Sequence, residues 1–407
     1  MWILRGWAND LRRRKRSAFV FSASASSGAG SQAAGEGTAG RVGALWRQAG
    51  REKIRLRVRK APNLLGQALA AWVLVLGQVH PCLWAEDTVD WAPDGSSGGR
   101  ARLSGRVLDY TGEVLLLELP DGRQQKIPGE KVLQVHTTYG PVHQEAQHRF
   151  EQGRWPEALS LYRKALQEEQ RRWVRREILA RMTACYEETG QLASACETFL
   201  LLMQSDPKTP YWVVVPLAWL PREPEGLLER QARQWLGQDG EQAAWTVLLG
   251  ASHLLSTSER PAALAQLRRL ATHKDCRIAL LAVAQTWRTA MQVEPAQLDL
   301  WQQTIQKMPE SVRAGPYYLL GRAWAQQRQW EEAALAWLRI PILYGSPRAL
   351  CARALLEAGS ALEQLGRPEQ SARLYQELLH THPDSVYASE AAQRIQQLQQ
   401  AMPSAKP

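Results

Sequence analysis

The chain lacks the short motifs that mark most enzymes. There is no Walker P-loop, no G-x-S-x-G elbow, no H-E-x-x-H helix and no C-x-x-C pair. Five cysteines in 407 residues are too few for a disulfide-stapled scaffold. The apolar run from Leu64 to Val79 contains Gln67 and Gln78 and is 16 residues long, short of the roughly 20 a membrane span needs. No methionine stands between Met1 and Met182. Net positive charge is missing from most of the chain, despite a formal net charge of +10. Residues 1–60 hold 14 Lys and Arg against 3 acidic residues, and the remainder holds 36 against 37. A nucleic-acid footprint is therefore absent beyond the N-terminal arm.

Residues 1–62 read as a disordered basic arm. The stretch 21–40, FSASASSGAGSQAAGEGTAG, has too little apolar surface to offset the entropy of ordering it. A basic run (51–60), the apolar run, then Ala85 before Glu86 and Asp87 give the layout of a secretory signal peptide over 63–85. Cleavage is expected after Ala85, and the alternative is an uncleaved membrane tether through 64–79. Either places the protein in the periplasm, outside the cell, or at the inner membrane. The lead before the signal core is long, so translation is expected to start near Leu56 or Val58. The residues before Cys82, Val79-His80-Pro81, do not favour lipidation there.

Residues 86–100 read as a linker. Residues 101–138 then alternate between short β-prone runs (ARLSGRVLDY, EVLLLEL, RQQKIP, KVLQVHT) and turn signals, Thr111-Gly112 and Pro120-Asp121-Gly122. Four strands in a small meander or partial barrel follow. In size and strand count the segment resembles SH3-like or Sm-like small barrels. It carries no basic-plus-aromatic cluster of the kind that binds RNA, so its expected role is a cap on the helices that follow.

From residue 139 to 401 the period becomes helical. Small residues recur twelve apart, at 146/158, 183/195, 250/262, 284/296, 321/333 and 359/371, with aromatics at Tyr162, Tyr186, Phe199, Trp324, Trp337 and Tyr375. This resembles the tetratricopeptide repeat (TPR) family, in which small residues let two helices approach and rings fill the gaps. The resemblance implies a mainly α fold, a TPR-like solenoid of about seven hairpins. One of them spans roughly 209–240, where Pro210, Pro216, Pro221 and Pro224 break the pattern. A terminal amphipathic helix over 384–401 is expected to turn Val386, Ala388, Ala391, Ile395 and Leu398 inward, and 402–407 is a tail. The run Tyr375 to Ser385 resembles the last repeats of bacterial periplasmic TPR proteins of the Tol-Pal and outer-membrane-assembly type.

Family geometry implies a concave face carrying Gln147, Glu151, Arg322, Gln326, Ser360 and Gln364, which would bind a protein or peptide partner. No catalytic, cofactor or metal residues are assigned. His380 and His382 are expected at a helix end rather than on a metal. Cys185, Cys196, Cys276 and Cys351 read as free thiols, with a Cys185–Cys196 bond as the alternative. Trp155, Trp324, Trp330 and Trp337 are expected in the core. Trp212, Trp219, Trp235, Trp245, Trp287 and Trp301 fall in the degenerate middle, where core burial competes with an exposed patch for a partner. The reading is a non-enzymatic envelope adaptor. The alternatives are a cell-wall-associated accessory superhelix of an enzyme system and an RNA-binding protein.

Overall fold

The computed structural model describes residues 87–93, 99–222, 224–345 and 347–401. The expected basic arm, the expected signal segment and the tail lie outside these residues. Among the described residues no helix is long and apolar enough to cross a membrane.

Five strands open the fold: β1 (Asp87–Trp91), β2 (Ala101–Tyr110), β3 (Val114–Glu118), β4 (Gln124–Pro128) and β5 (Val132–His136). They form one antiparallel sheet in the order β4-β3-β2-β1-β5. Four of the strands match the β-prone runs. The fifth is a correction: part of the expected linker is β1, which pairs between β2 and the edge strand β5. Its Val89 is fully buried and pairs with Leu103 and Val135. Two acids in five residues hid this strand. The buried Asp87 carboxylate accepts from the Val107 N–H and the Thr137 hydroxyl, and Asp90 accepts both Arg102 nitrogens. The Asp121-Gly122 signal is the β3–β4 turn, with Gly122 at φ +82°.

The helices are α1 (Pro141–Glu151), α2 (Trp155–Glu168), α3 (Arg172–Glu188), α4 (Leu192–Ser205), α5 (Gly226–Leu236), α6 (Ala244–Leu254) and α7 (Arg260–Leu270). After them come α8 (Cys276–Thr286), α9 (Pro295–Lys307), α10 (Ala314–Gln326), α11 (Trp330–Arg339), α12 (Arg348–Gln364), α13 (Pro368–Thr381) and α14 (Ala388–Ala401). The sheet and the first hairpins share one core. Val107, Leu115, Leu117 and Ile127 meet Ala146, Ala158, Tyr162 and Trp173. The sheet thus closes the N-terminal end of the array, as an end cap must in a stack whose units bury surface only against neighbours.

Four hairpins follow the small-residue spacing: α1/α2, α3/α4, α10/α11 and α12/α13. Ala146, Ala158, Thr183, Ala195, Gly321, Ala333, Gly359 and Ser371 are all buried. A Cβ on Gly321 would stand 2.6 Å from Trp337 Nε1, and one on Gly359 would overlap the Tyr375 ring. The middle departs from the pattern. Gly250 is buried, yet it faces α5, where a Cβ would lie 2.7 Å from the Ala232 carbonyl oxygen. Ala262 and Ala296 are exposed, and Ala263 and Leu298 take the buried places beside them. Twelve-residue spacing alone does not fix which neighbour a small residue meets. Residues 209–240 form no helical hairpin. A 3₁₀ turn, Pro210–Val214, leads into irregular chain, and α5 follows, packing on α6 beyond this stretch.

At the far end α14 packs Ala391, Ile395 and Leu398 against Leu355, Leu356 and Tyr375. Val386 is a second correction: it is 83% exposed, in the turn before the helix. The array also touches itself over long range. The Arg348 N–H donates to both carboxylate oxygens of Glu188, 160 positions earlier, at 3.3 and 3.2 Å.

Candidate functional site

The six expected face residues separate into two places. Gln147 and Glu151 lie on α1, one turn apart, half-buried and exposed. Gln147 Nε2 donates to Glu151 Oε1 at 3.4 Å. Their helix belongs to the core shared with the sheet. Arg322 and Gln326 lie on α10, Ser360 and Gln364 on α12, and these two helices pack on each other. The second four thus lie on two helices in contact, and the first pair lies on a helix of the core shared with the sheet.

Arg322 and Gln326 line a shallow depression with Trp287, Ala290, Trp301, Leu319 and Ala323. Trp287 and Trp301 stack, with centroids 4.4 Å apart and planes 8° from parallel. Both indoles are nearly buried, as are Trp212, Trp235 and Trp245. The middle tryptophans are thus mainly core, not an exposed patch, with Trp219 the half-buried exception.

Positive charge gathers beside this depression. Arg288 donates to the Ser252 carbonyl at 2.6 Å, Gln285 Oε1 at 3.0 Å and Ser256 Oγ at 3.3 Å. Arg260 Nε donates to the Leu255 carbonyl at 3.0 Å. Both arginines satisfy carbonyls at the C-terminus of α6, where a helix favours cations. Burial lowers the Arg288 pKa to about 10, and the neighbouring Arg322 and Arg260 add to the effect. Arg322 itself makes no hydrogen bond or ion pair among the described residues.

No sequence pattern marks the path of the irregular segment after the Pro210–Val214 turn, in which the Leu217 N–H closes a tight turn on the Val215 carbonyl at 3.0 Å. The segment runs past α4, α6 and α10. The Pro216 carbonyl accepts from His253 Nε2 at 2.9 Å, the Ala218 N–H donates to Ser252 Oγ at 3.0 Å, and the Trp219 indole fills the space where Gly315 has no side chain. At one end Tyr211 lies near Tyr110, Tyr139 and Glu177, and its pKa is pushed far up by burial. At the other, Arg222 lies close enough to Tyr387 to act on its hydroxyl. The signal available in the sequence was four prolines within 15 residues, flanking Trp212 and Trp219. It pointed to interrupted helix and did not say what the irregular chain would touch.

A cysteine and a histidine do meet: Cys196 Sγ lies 3.4 Å from His253 Nε2. Burial pushes the thiol well above its ordinary 9 and lowers the His253 pKa to about 4. Both groups are neutral near pH 7, so the pair does not generate the thiolate that nucleophilic chemistry requires. Cys185 and Cys351 are buried and in no disulfide, and Cys276 is exposed. Among the described residues no group of three His, Cys, Asp or Glu side chains could hold a metal ion.

A tetratricopeptide repeat family model matches residues 353–385, the α12/α13 hairpin in which Gly359 meets Tyr375. The four regular hairpins share that packing, and the fold is a TPR-like α-solenoid behind a five-stranded sheet. No curated protein matches the chain. Among solved structures the chain is similar to the MamA protein, at 16% identity over 60% of this chain and 90% of that one, with a TM-score of 0.19. It is also similar to Acl4, an assembly chaperone of RpL4, at 16% identity over 64% and 97%, with a TM-score of 0.28. A third is the TPR2AB domain of yeast Sti1 in complex with pHSP90, at 15% identity over 63% and 97%, with a TM-score of 0.20.

Proposed function

We propose that this protein is a scaffold of the cell envelope that binds an extended segment of a partner protein along α10 and α12. The observation that carries the reading is the arrangement of the two regular hairpins α10/α11 and α12/α13. Their small residues are spent on internal packing, while Arg322, Gln326, Ser360 and Gln364 keep polar groups at or near the surface. Such a row offers hydrogen bonds at the spacing of stacked repeats, which suits an extended chain. Arg322, with no partner among the described residues, supplies charge for a carboxylate or a main-chain carbonyl.

The envelope assignment rests on the signal-like layout of 63–85 and on the resemblance of Tyr375–Ser385 to periplasmic repeat proteins. Cleavage after Ala85 would release the chain, and retention of 64–79 would tether it. The neutral Cys196–His253 pair favours a binding role over chemistry.

Photo-crosslinking in the source cells tests the surface and the compartment together. A crosslinker at position 326 or 364 is expected to trap a partner in the envelope fraction, and one at position 151 to trap none. Equal trapping from all three positions, or capture confined to cytoplasmic proteins, overturns the assignment.

A further inference from the structure

The irregular segment after Val214 is built in two halves. Trp212, Val215, Pro216 and Leu217 are buried in the main core. From Ala218 the chain is half-buried, and it becomes exposed at Pro221 and Arg222. The second half is nonetheless seated. Its first N–H meets Ser252 Oγ and its Trp219 ring lies on Gly315. Gly315 stands in the first turn of α10, where glycine costs about 1 kcal/mol relative to alanine, and any side chain there would overlap the indole. One main-chain hydrogen bond plus one ring in a glycine-floored seat is the way an extended peptide is held. The seat lies seven residues before Arg322, about two turns along the same helix. The segment's own Ala218 and Arg222 wall a small depression together with Leu192, Ala193, Leu228 and His253.

We infer that residues 218–222 are an intramolecular ligand. They occupy in cis a groove that accepts an extended partner segment with an aromatic side chain, and that partner enters when the stretch lifts off its buried anchor at 212–217. The inference rests on the scaffold reading above and adds which groove is used and what fits it. The occupant's chemistry is set by the contacts. A ring must rest on Gly315, the residue before it must offer an N–H to Ser252 Oγ, and two residues before that N–H a carbonyl must meet His253 Nε2, as Ala218 and Pro216 do here.

The test uses the full chain and a fluorescein-labelled peptide, Val-Pro-Leu-Ala-Trp-Leu-Pro-Arg, copied from residues 215–222. Trp219→Ser empties the seat in cis. Fluorescence anisotropy is expected to show saturable binding to this variant, at least tenfold tighter than to the wild type. Adding Gly315→Ala, which fills the seat with a methyl group, is expected to weaken binding at least tenfold. A folded Trp219→Ser protein that binds no peptide, or binding indifferent to Gly315→Ala, overturns the inference. So does a Trp219→Ser protein that fails to fold, because the ring would then be core. Hydrogen exchange on the wild type gives an independent reading. The Ala218 amide is expected to exchange at least 100-fold faster than the α6 amides, and exchange only through global unfolding rules out the lifting step. Crosslinking at 326 and 364 with no peptide binding would remove this inference and leave the scaffold standing.

Discussion

Arg328 has φ +60°, in the left-handed region, at the slot where Gly153, Gly190 and Gly366 turn the other three regular hairpins. A side chain in that conformation costs roughly 1–2 kcal/mol. Arg328→Gly is expected to raise stability by about 1 kcal/mol, after the larger entropy of the unfolded glycine chain is counted, and thermal unfolding will show it as a higher Tm. Gly321 gives the opposite case. Gly321→Leu drives carbon into the Trp337 indole, whose Nε1–H donates to the Tyr318 carbonyl at 3.1 Å. Overpacking of this kind costs about 1–3 kcal/mol, and a denaturant midpoint equal to that of the wild type would argue against the close approach. His253 makes stability depend on pH. Burial holds its pKa at about 4, below the ordinary 6.5, so the unfolded chain binds the proton first. Stability is full above pH 6.5 and falls as pH drops toward 4. His253→Gln is expected to flatten that part of the curve in a pH series of urea melts.

Individual elements were legible wherever a pattern dictated a single neighbour. The four regular hairpins declared themselves because a small residue opposite a ring has one packing solution, as at Gly321 with Trp337 and Gly359 with Tyr375. Ala262 and Ala296 kept the spacing without the ring, and the structure leaves them exposed. β1 escaped because its acids look like linker until Asp87 finds the Val107 N–H. Docking of the sheet was likewise invisible in sequence, since it depends on single polar groups distant in the chain. Asp206 accepts from the Gly112 N–H at 2.9 Å, and the buried Arg176 pairs with Asp109. Asp206→Ala leaves the Gly112 N–H unpaired at a close contact, and the expected loss is about 1–3 kcal/mol. If the sheet is a cap, far-ultraviolet circular dichroism should show α1 and α2 melting earlier in that variant while the C-terminal hairpins hold.

A plain helical array behaves as a one-dimensional stack that can fray from either end. This one carries cross-links in the third dimension. Glu188 caps the N-terminus of α12, Arg277 reaches the Pro207 carbonyl at 2.9 Å, and the segment after Val214 ties α4, α6 and α10 together. Urea unfolding is therefore expected to be a single transition, with tryptophan fluorescence and circular dichroism coinciding. Glu188→Ala should separate the two probes, since fluorescence reports mainly the tryptophan-rich middle. Coincident curves in the variant would show that the long-range contact does not couple the ends.

By itself the sequence determined the class of the fold, the four regular hairpins and four of the five strands, because periodicity and small-to-large complementarity are local statements about which face of an element must be buried. It also determined that the net positive charge resides in the first 60 residues. Only the tertiary structure decided that the proline-rich stretch crosses the helices instead of joining them, that Gly250 serves α5, and that Arg322 shares its depression with a stacked indole pair. Those outcomes depend on contacts between residues as far apart as 18 positions for Gly250 and Ala232, 34 for Ala218 and Ser252 and 96 for Trp219 and Gly315, and no local period encodes which partners meet.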